Sequence, residues 1–333
     1  MESDQKKQHN GLGDQSQGPI FVLSPPRSGS TVLMRVLNCH PTLVIWGEHV
    51  GLINRLAEID DMVRRVGRLM FPKTDEMIAD YVAFPDHRLN EFDPWANPFD
   101  HASFRGSCRE MIEGIFTRGL RPGQRWGFKE TRYHRAATVN FLGELFPRAQ
   151  FVMLSRDIRE VATSAILAPW SAPRWFWDYQ DQMPAEMAEA IVRDVTYALL
   201  VIERGLGEVR AGLGPRCLHF DYTAMIDQDG GFVAPLFRFL GLDVPTDVAA
   251  RIDKVLSVRA GDSGRNVRFG GILSPEFIRA RVTELARSLR AEIARDGIDK
   301  ARLVARSDVG QYSFLAGDHT MRDQGCEFSS LFW

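Results

Sequence analysis

The residues best suited to chemistry form a turn, Ser24-Pro25-Pro26-Arg27-Ser28-Gly29-Ser30-Thr31, set between an apolar run (Ile20 to Leu23) and a helical pattern with apolar residues at 32, 33, 36 and 37. A strand that turns through Ser and Gly into a helix aims backbone N–H groups and the positive helix end at one point, which suits an anion. The ordinary alternative is an N-cap, with Ser30 or Thr31 capping the helix. Arg27 inside the turn favours the anion. A nucleoside-triphosphate loop would carry G-K-[ST], with lysine on the phosphates and a hydroxyl on magnesium. That triplet is missing here, so metal-free chemistry that relies on cationic side chains is expected.

Two further clusters can serve the same anion. In "FVMLSRDIREVATSA" Arg156 leaves an apolar run, and Asp157 is placed to cap a helix that carries Ser164. In "WGFKET" Lys129 ends another apolar run, in a chain whose only lysines are Lys6, Lys7, Lys73, Lys129, Lys254 and Lys300 against 41 basic residues in all. A compact ammonium can approach one oxygen where a planar guanidinium cannot. The plainer reading is a Lys129–Glu130 surface pair. Glu48 and His49, after Leu43-Val44-Ile45-Trp46, are the candidate bases, since both types accept a proton near neutral pH.

The elements that must position these groups alternate. Short apolar runs at 20–23, 43–46, 125–128, 150–154 and 216–220 read as buried strands. Helical patterns follow at 31–38, 52–66, 104–116, up to 146, 157–167, 184–205, 231–240, 247–256 and 275–296. This alternation predicts an α/β fold: a P-loop-like parallel sheet flanked by helices. Residues 1–18 read as a disordered tail, 19–305 as one domain with an inserted helical and loop elaboration at about 50–120 forming the acceptor side, and 306–333 as an irregular segment.

Composition narrows the classes. The 333 residues are 44% apolar and 25% charged, as in globular proteins, and the formal charge of −2 gives no general attraction to nucleic acid or anionic membrane. No apolar run is long enough to span a membrane. Cys39, Cys108, Cys217 and Cys326 are scattered, which argues against a zinc site or disulfide framework and for reduced thiols in the cytoplasm.

The stretch "FVLSPPRSGSTVLMRVLNCHP" resembles the 5′-phosphosulfate loop of sulfotransferases that use 3′-phosphoadenosine 5′-phosphosulfate (PAPS), and is closest to the tyrosylprotein sulfotransferase branch. The segment with Arg156 and Ser164 resembles that family's 3′-phosphate site. The resemblance implies PAPS as co-substrate and adenosine 3′,5′-bisphosphate (PAP) as product, with no metal. It implies donor contacts from Arg27, Ser28, Gly29, Ser30, Thr31, Arg156 and Ser164, with Arg265 and Arg268 in a glycine-rich loop as further partners. Lys129 would act on the sulfuryl group and the leaving oxygen. Counting from the loop arginine selects Glu48 as base, and aligning the Gly-Glu pair selects His49; Glu48 is preferred. An aromatic stretch with Trp170, Trp175, Phe176, Trp177 and Tyr179 reads as core packing or, where its rings line the pocket, as favouring an apolar or phenolic acceptor; a hydroxyl or phenol of a small-molecule acceptor is the first choice, with protein tyrosine second. The competing classes are a P-loop kinase and a non-catalytic nucleotide-binding module.

Overall fold

The computed structural model describes residues 18–66, 79, 82–83, 99–167, 183–227, 231–257 and 272–308. The aromatic stretch from Trp170 to Tyr179, Arg265 and Arg268, the proposed N-terminal tail up to residue 17 and the segment after Asp308 lie outside the described residues.

Apolar runs form five strands, β1 (Ile20–Leu23), β2 (Leu43–Trp46), β3 (Arg125–Glu130), β4 (Gln150–Ser155) and β5 (Cys217–Asp221). They make one sheet in the order β2-β3-β1-β4-β5, every pairing parallel. Parallel neighbours require crossovers, and helices supply them. These are α1 (Ser30–Leu37), α2 (Leu52–Val66), α3 (His101–Phe116), α4 (Ala136–Leu145), α5 (Ile158–Ile166) and α6 (Ala185–Leu213). After β5 come α7 (Tyr222–Asp227), α8 (Val233–Phe239), α9 (Thr246–Ser257) and α10 (Pro275–Asp308).

Side-chain alternation along the strands builds two core layers. Phe21, Leu23, Phe151 and Met153 join Ile53, Ile112, Leu142, Val161, Leu199 and Val282 on one face. Ile20, Val22, Val152 and Leu154 join Leu33, Leu236 and Ile252 on the other. Covering both faces is what a parallel sheet demands, and it explains why its strands read as continuous apolar runs. The elaboration after β2 contributes α2 and α3, which pack on each other and on α4.

Several boundaries differ from the sequence reading, among them those of β3, α10 and α6. β3 runs on through Lys129 and Glu130, because their Cα positions pair with Val22 and Leu23 of β1 and the ladder outweighs side-chain polarity. Helix α10 reaches Asp308, so residues 306–308 are helical and not part of an irregular segment. Helix α6 continues past Gly205 to Leu213. Gly205 is not a stop signal: a Cβ there would lie 2.2 Å from the His134 carbonyl oxygen, so the residue lets α6 pass against the backbone after β3. Gly205→Ala is therefore expected to destabilise the fold by about 3 kcal/mol, as overpacking does, measured by urea unfolding; Gly207→Ala, with open space around its Cβ, is the control and should stabilise by up to about 1 kcal/mol.

Candidate active site

Starting from β1, the chain builds β2 and β3 to one side and β4 and β5 to the other. At such a switch point the carboxyl ends of the strands leave a crevice, the usual ligand position in open α/β sheets. The residues singled out in the sequence stand at that edge: Arg27 to Thr31 after β1, Glu48 and His49 after β2, Lys129 at the end of β3 and Arg156 after β4.

The loop after β1 is held by internal bonds. Arg27 has φ 60° and Gly29 φ 92°, both left-handed, and Arg27 holds that conformation at a cost of roughly 1–2 kcal/mol. The Arg27 carbonyl accepts from Arg156 Nη1 at 3.0 Å, and its Nε donates to Ser164 Oγ at 3.0 Å. The loop after β1 is thus in contact with the segment after β4. The Ser28 hydroxyl donates to the Pro25 carbonyl at 2.8 Å and is fully buried, so it shapes the loop. The expected cap is corrected: α1 is capped by Gly29 without a side-chain bond, and neither Ser30 nor Thr31 takes that role. A left-handed residue before the helix turns the backbone sharply enough that Ser30 already lies inside the first turn. The Asp157 cap is present, its carboxylate accepting from the Arg159 amide at 2.8 Å. Hydrogen bonds from the Arg159 side chain, against burial, hold this carboxyl below the usual range. The Arg156 guanidinium lies 4.5 Å from the centre of the Tyr222 ring.

Across the crevice, Glu48 and Lys129 form an ion pair. Lys129 is buried, whereas the Glu48 side chain is 36% exposed. The other Glu48 oxygen accepts from Arg132 Nη1 at 3.1 Å and from the Thr131 hydroxyl at 3.5 Å. Lys129 and Glu130 are no surface pair: Glu130 is fully buried and bonds the amides of His49, Gly51, Thr131 and Arg132 and the Arg132 side chain. Burial alone would raise the Glu130 carboxyl, but the Gly51 amide, Arg132 and the His49 amide outweigh it and hold it below its ordinary value.

His49 turns the other way. Its ring packs edge-on against Phe116, Phe128 and Tyr133, with centroids 5.1, 4.6 and 5.4 Å away. The Tyr133 hydroxyl lies 2.5 Å from Nε2 and also accepts the Ile53 amide. Tyr133 therefore engages Nε2 whichever tautomer the ring adopts, while Nδ1 is buried with no hydrogen-bond partner. Burial lowers the His49 pKa, and the nearby Glu130 only partly opposes this.

Arg132 and Tyr133 were missed from the sequence. The signal was the density of functional groups in Lys129-Glu130-Thr131-Arg132-Tyr133 just after an apolar run. A cleft of about 680 Å³ opens beside β4 and β5, between α5, α6 and α10; its lining includes Arg156 but neither Glu48 nor Lys129. It lies away from the ion-paired cluster and is not taken as the reaction centre. Among the described residues no three His, Cys, Asp or Glu side chains gather as metal ligands would, and no helix is long and apolar enough to cross a membrane.

Sheet order and edge residues define an α/β protein with an arginine-bearing strand-loop-helix at its switch point. The chain belongs to the sulfotransferase family, whose profile, described as Sulfotransferase family, matches residues 19–246, more than half of the chain. It is thereby a transferase. Similar solved structures include the sulfotransferase STF9 from Mycobacterium avium (15% identity, TM-score 0.45, covering 82% of this chain and 76% of that one). Others are the sulfotransferase domain from the curacin biosynthetic pathway (15%, TM-score 0.43, covering 82% and 97%) and mouse sulfotransferase SULT7A1 complexed with PAP (14%, TM-score 0.44, covering 90% and 91%). No curated protein matches the chain significantly.

Because the Glu130 pKa is lower folded than unfolded, its stabilising contribution is complete above the ordinary value of 4.5 and is lost as pH falls through the depressed value. Thermal melts between neutral pH and strong acid should show wild type losing stability on acidification more steeply than Glu130→Gln. Parallel curves would contradict the assignment.

Proposed function

We propose that this protein transfers the sulfuryl group of PAPS to a hydroxyl or phenol of a small-molecule acceptor by in-line displacement, without a metal. The observation that carries the reading is the meeting of Glu48 and Lys129 at the same sheet edge as the Arg27 loop. Sulfuryl transfer, like phosphoryl transfer, needs charge stabilised on the transferred group and the leaving oxygen, and a proton removed from the acceptor.

In this reading the amides of the Arg27 to Thr31 turn and the Arg27 guanidinium hold the 5′-phosphosulfate, as preorganised donors at a helix N-terminus. Arg156 and Ser164 hold the 3′-phosphate. Their contacts with Arg27 support the assignment, because they bring the two presumed phosphate sites to one wall. Charge-assisted bonds of about 1.5–3 kcal/mol each would separate PAPS from ATP by roughly a hundredfold or more. Lys129 exchanges its bond to Glu48 for the sulfuryl and leaving oxygens as donor binds. Glu48, relieved of that partner and still touched by Arg132, accepts the acceptor proton.

Two features favour Glu48 over His49 as base. The Glu48 carboxylate is partly open to solvent, whereas His49 Nε2 is engaged by Tyr133 and Nδ1 is buried. Trp46, Val50 and Leu52, all exposed beside Glu48, offer an apolar rim suited to an aromatic acceptor.

Transfer from radiolabelled PAPS to naphthol tests both parts. Glu48→Gln should lower the rate by roughly 10²–10⁴-fold, the usual contribution of a general base, while His49→Asn mainly lowers stability. Losses of equal size in both variants would sink the assignment, and label that never reaches a small hydroxyl or phenol would sink the acceptor class.

A further inference from the structure

The turn that carries Glu48 is wrapped around another carboxylate. Val50 and Gly51 have φ 58° and 71°, two left-handed residues in succession. Left-handed turns of this kind gather nearby amides into a concavity fit for an anion. The anion in it is Glu130, whose Oε2 accepts from the amides of His49 at 3.0 Å and Gly51 at 3.1 Å. Its Oε1 accepts from the amides of Thr131 at 2.9 Å and Arg132 at 3.3 Å, and from Arg132 Nη1 at 2.8 Å. The same Nη1 reaches Glu48 Oε2 at 3.1 Å. Both the backbone following Glu48 and the guanidinium on its carboxylate are therefore tied to Glu130.

We propose that Glu130 is a positioning residue for the transfer reaction, which aims the Glu48 carboxylate through the 49–51 turn and Arg132. The proposal rests on the reading of Glu48 as base. Glu130 is fully buried and has no access to an acceptor, so it acts only through these neighbours. A glutamine there would turn an NH₂ toward amides that donate, and at least one side of the arrangement would come apart. Misplacing a reacting group by about 1 Å can cost on the order of 10²-fold in rate. Donor contacts on the far side of the crevice involve none of these atoms.

The test measures kcat and KM for PAPS with naphthol, and PAP affinity by calorimetry, in wild type, Glu130→Gln, Glu48→Gln and the double variant. Glu130→Gln should lower kcat by about 10²-fold while KM for PAPS and PAP affinity stay within about twofold, and the double variant should match Glu48→Gln alone. If Glu48→Gln is slow and Glu130→Gln is not, the positioning role is overturned and the base assignment stands. Should Glu48→Gln run at the wild-type rate, the base assignment fails and the positioning role with it. A loss that multiplies in the double variant, or that falls equally on PAP affinity, marks Glu130 as a structural residue and overturns the proposal.

Gly51→Ala provides a second route if Glu130→Gln does not fold. It strains the same turn, its Cβ lying 3.3 Å from Arg132 Cδ, and leaves every charge in place. It should reproduce the fall in kcat at unchanged PAP affinity; a wild-type kcat contradicts the proposal.

Discussion

A carboxylate that water cannot reach must be satisfied by the protein, and the way Glu130 is satisfied organises the wall of the crevice that carries Glu48 and Lys129. Five hydrogen bonds from four residues converge on it. An unpaired charge in that position would be prohibitively costly. The arrangement therefore forces the chain after β2 to fold back over the end of β3, and this places Glu48 against Lys129. Local strain in the turn is the cost of that geometry, and the bonds to Glu130 hold it in place.

The opposite wall follows a similar logic with the signs reversed. Arg27 adopts a left-handed backbone that only a well-supported loop tolerates. Its carbonyl is held by Arg156, its side chain by Ser164, and the Ser28 hydroxyl closes the loop on Pro25. Arg156 also lies 3.7 Å from the Glu160 carboxylate on the next helix turn, so this wall pairs its cation with an acid as well. On the other wall Lys129 and Arg132 are matched by Glu48 and Glu130. Under the function proposed above, donor binding would be an exchange of ion partners at this edge, with Lys129 as the group that changes.

Much of this was legible in the sequence, for physical reasons that differ by residue. Strands buried on both faces announce themselves as continuous apolar runs, so β1, β2 and β4 and the parallel α/β architecture could be read directly. The Arg27 loop and the Asp157 cap were visible because spacing along one strand-to-helix turn is local. Orientation was not legible. Glu48 and His49 are adjacent and chemically similar as bases, and only the Tyr133 hydroxyl and the aromatic rings around His49 separate them. Glu130 looked like half of a surface pair because its partners come from the 49–51 turn, some 80 residues away. Gly205 looked like a helix end because a close approach to the His134 carbonyl leaves no mark on the local pattern.

We propose that this edge of the sheet holds PAPS, with the 3′-phosphate on Arg156 and Ser164. Calorimetric titration of the full chain with PAP and with ATP, both in magnesium-free buffer, measures it most directly. PAP should bind tighter by roughly a hundredfold or more, as two charge-assisted bonds require. Equal affinities, or a preference for ATP, would contradict it.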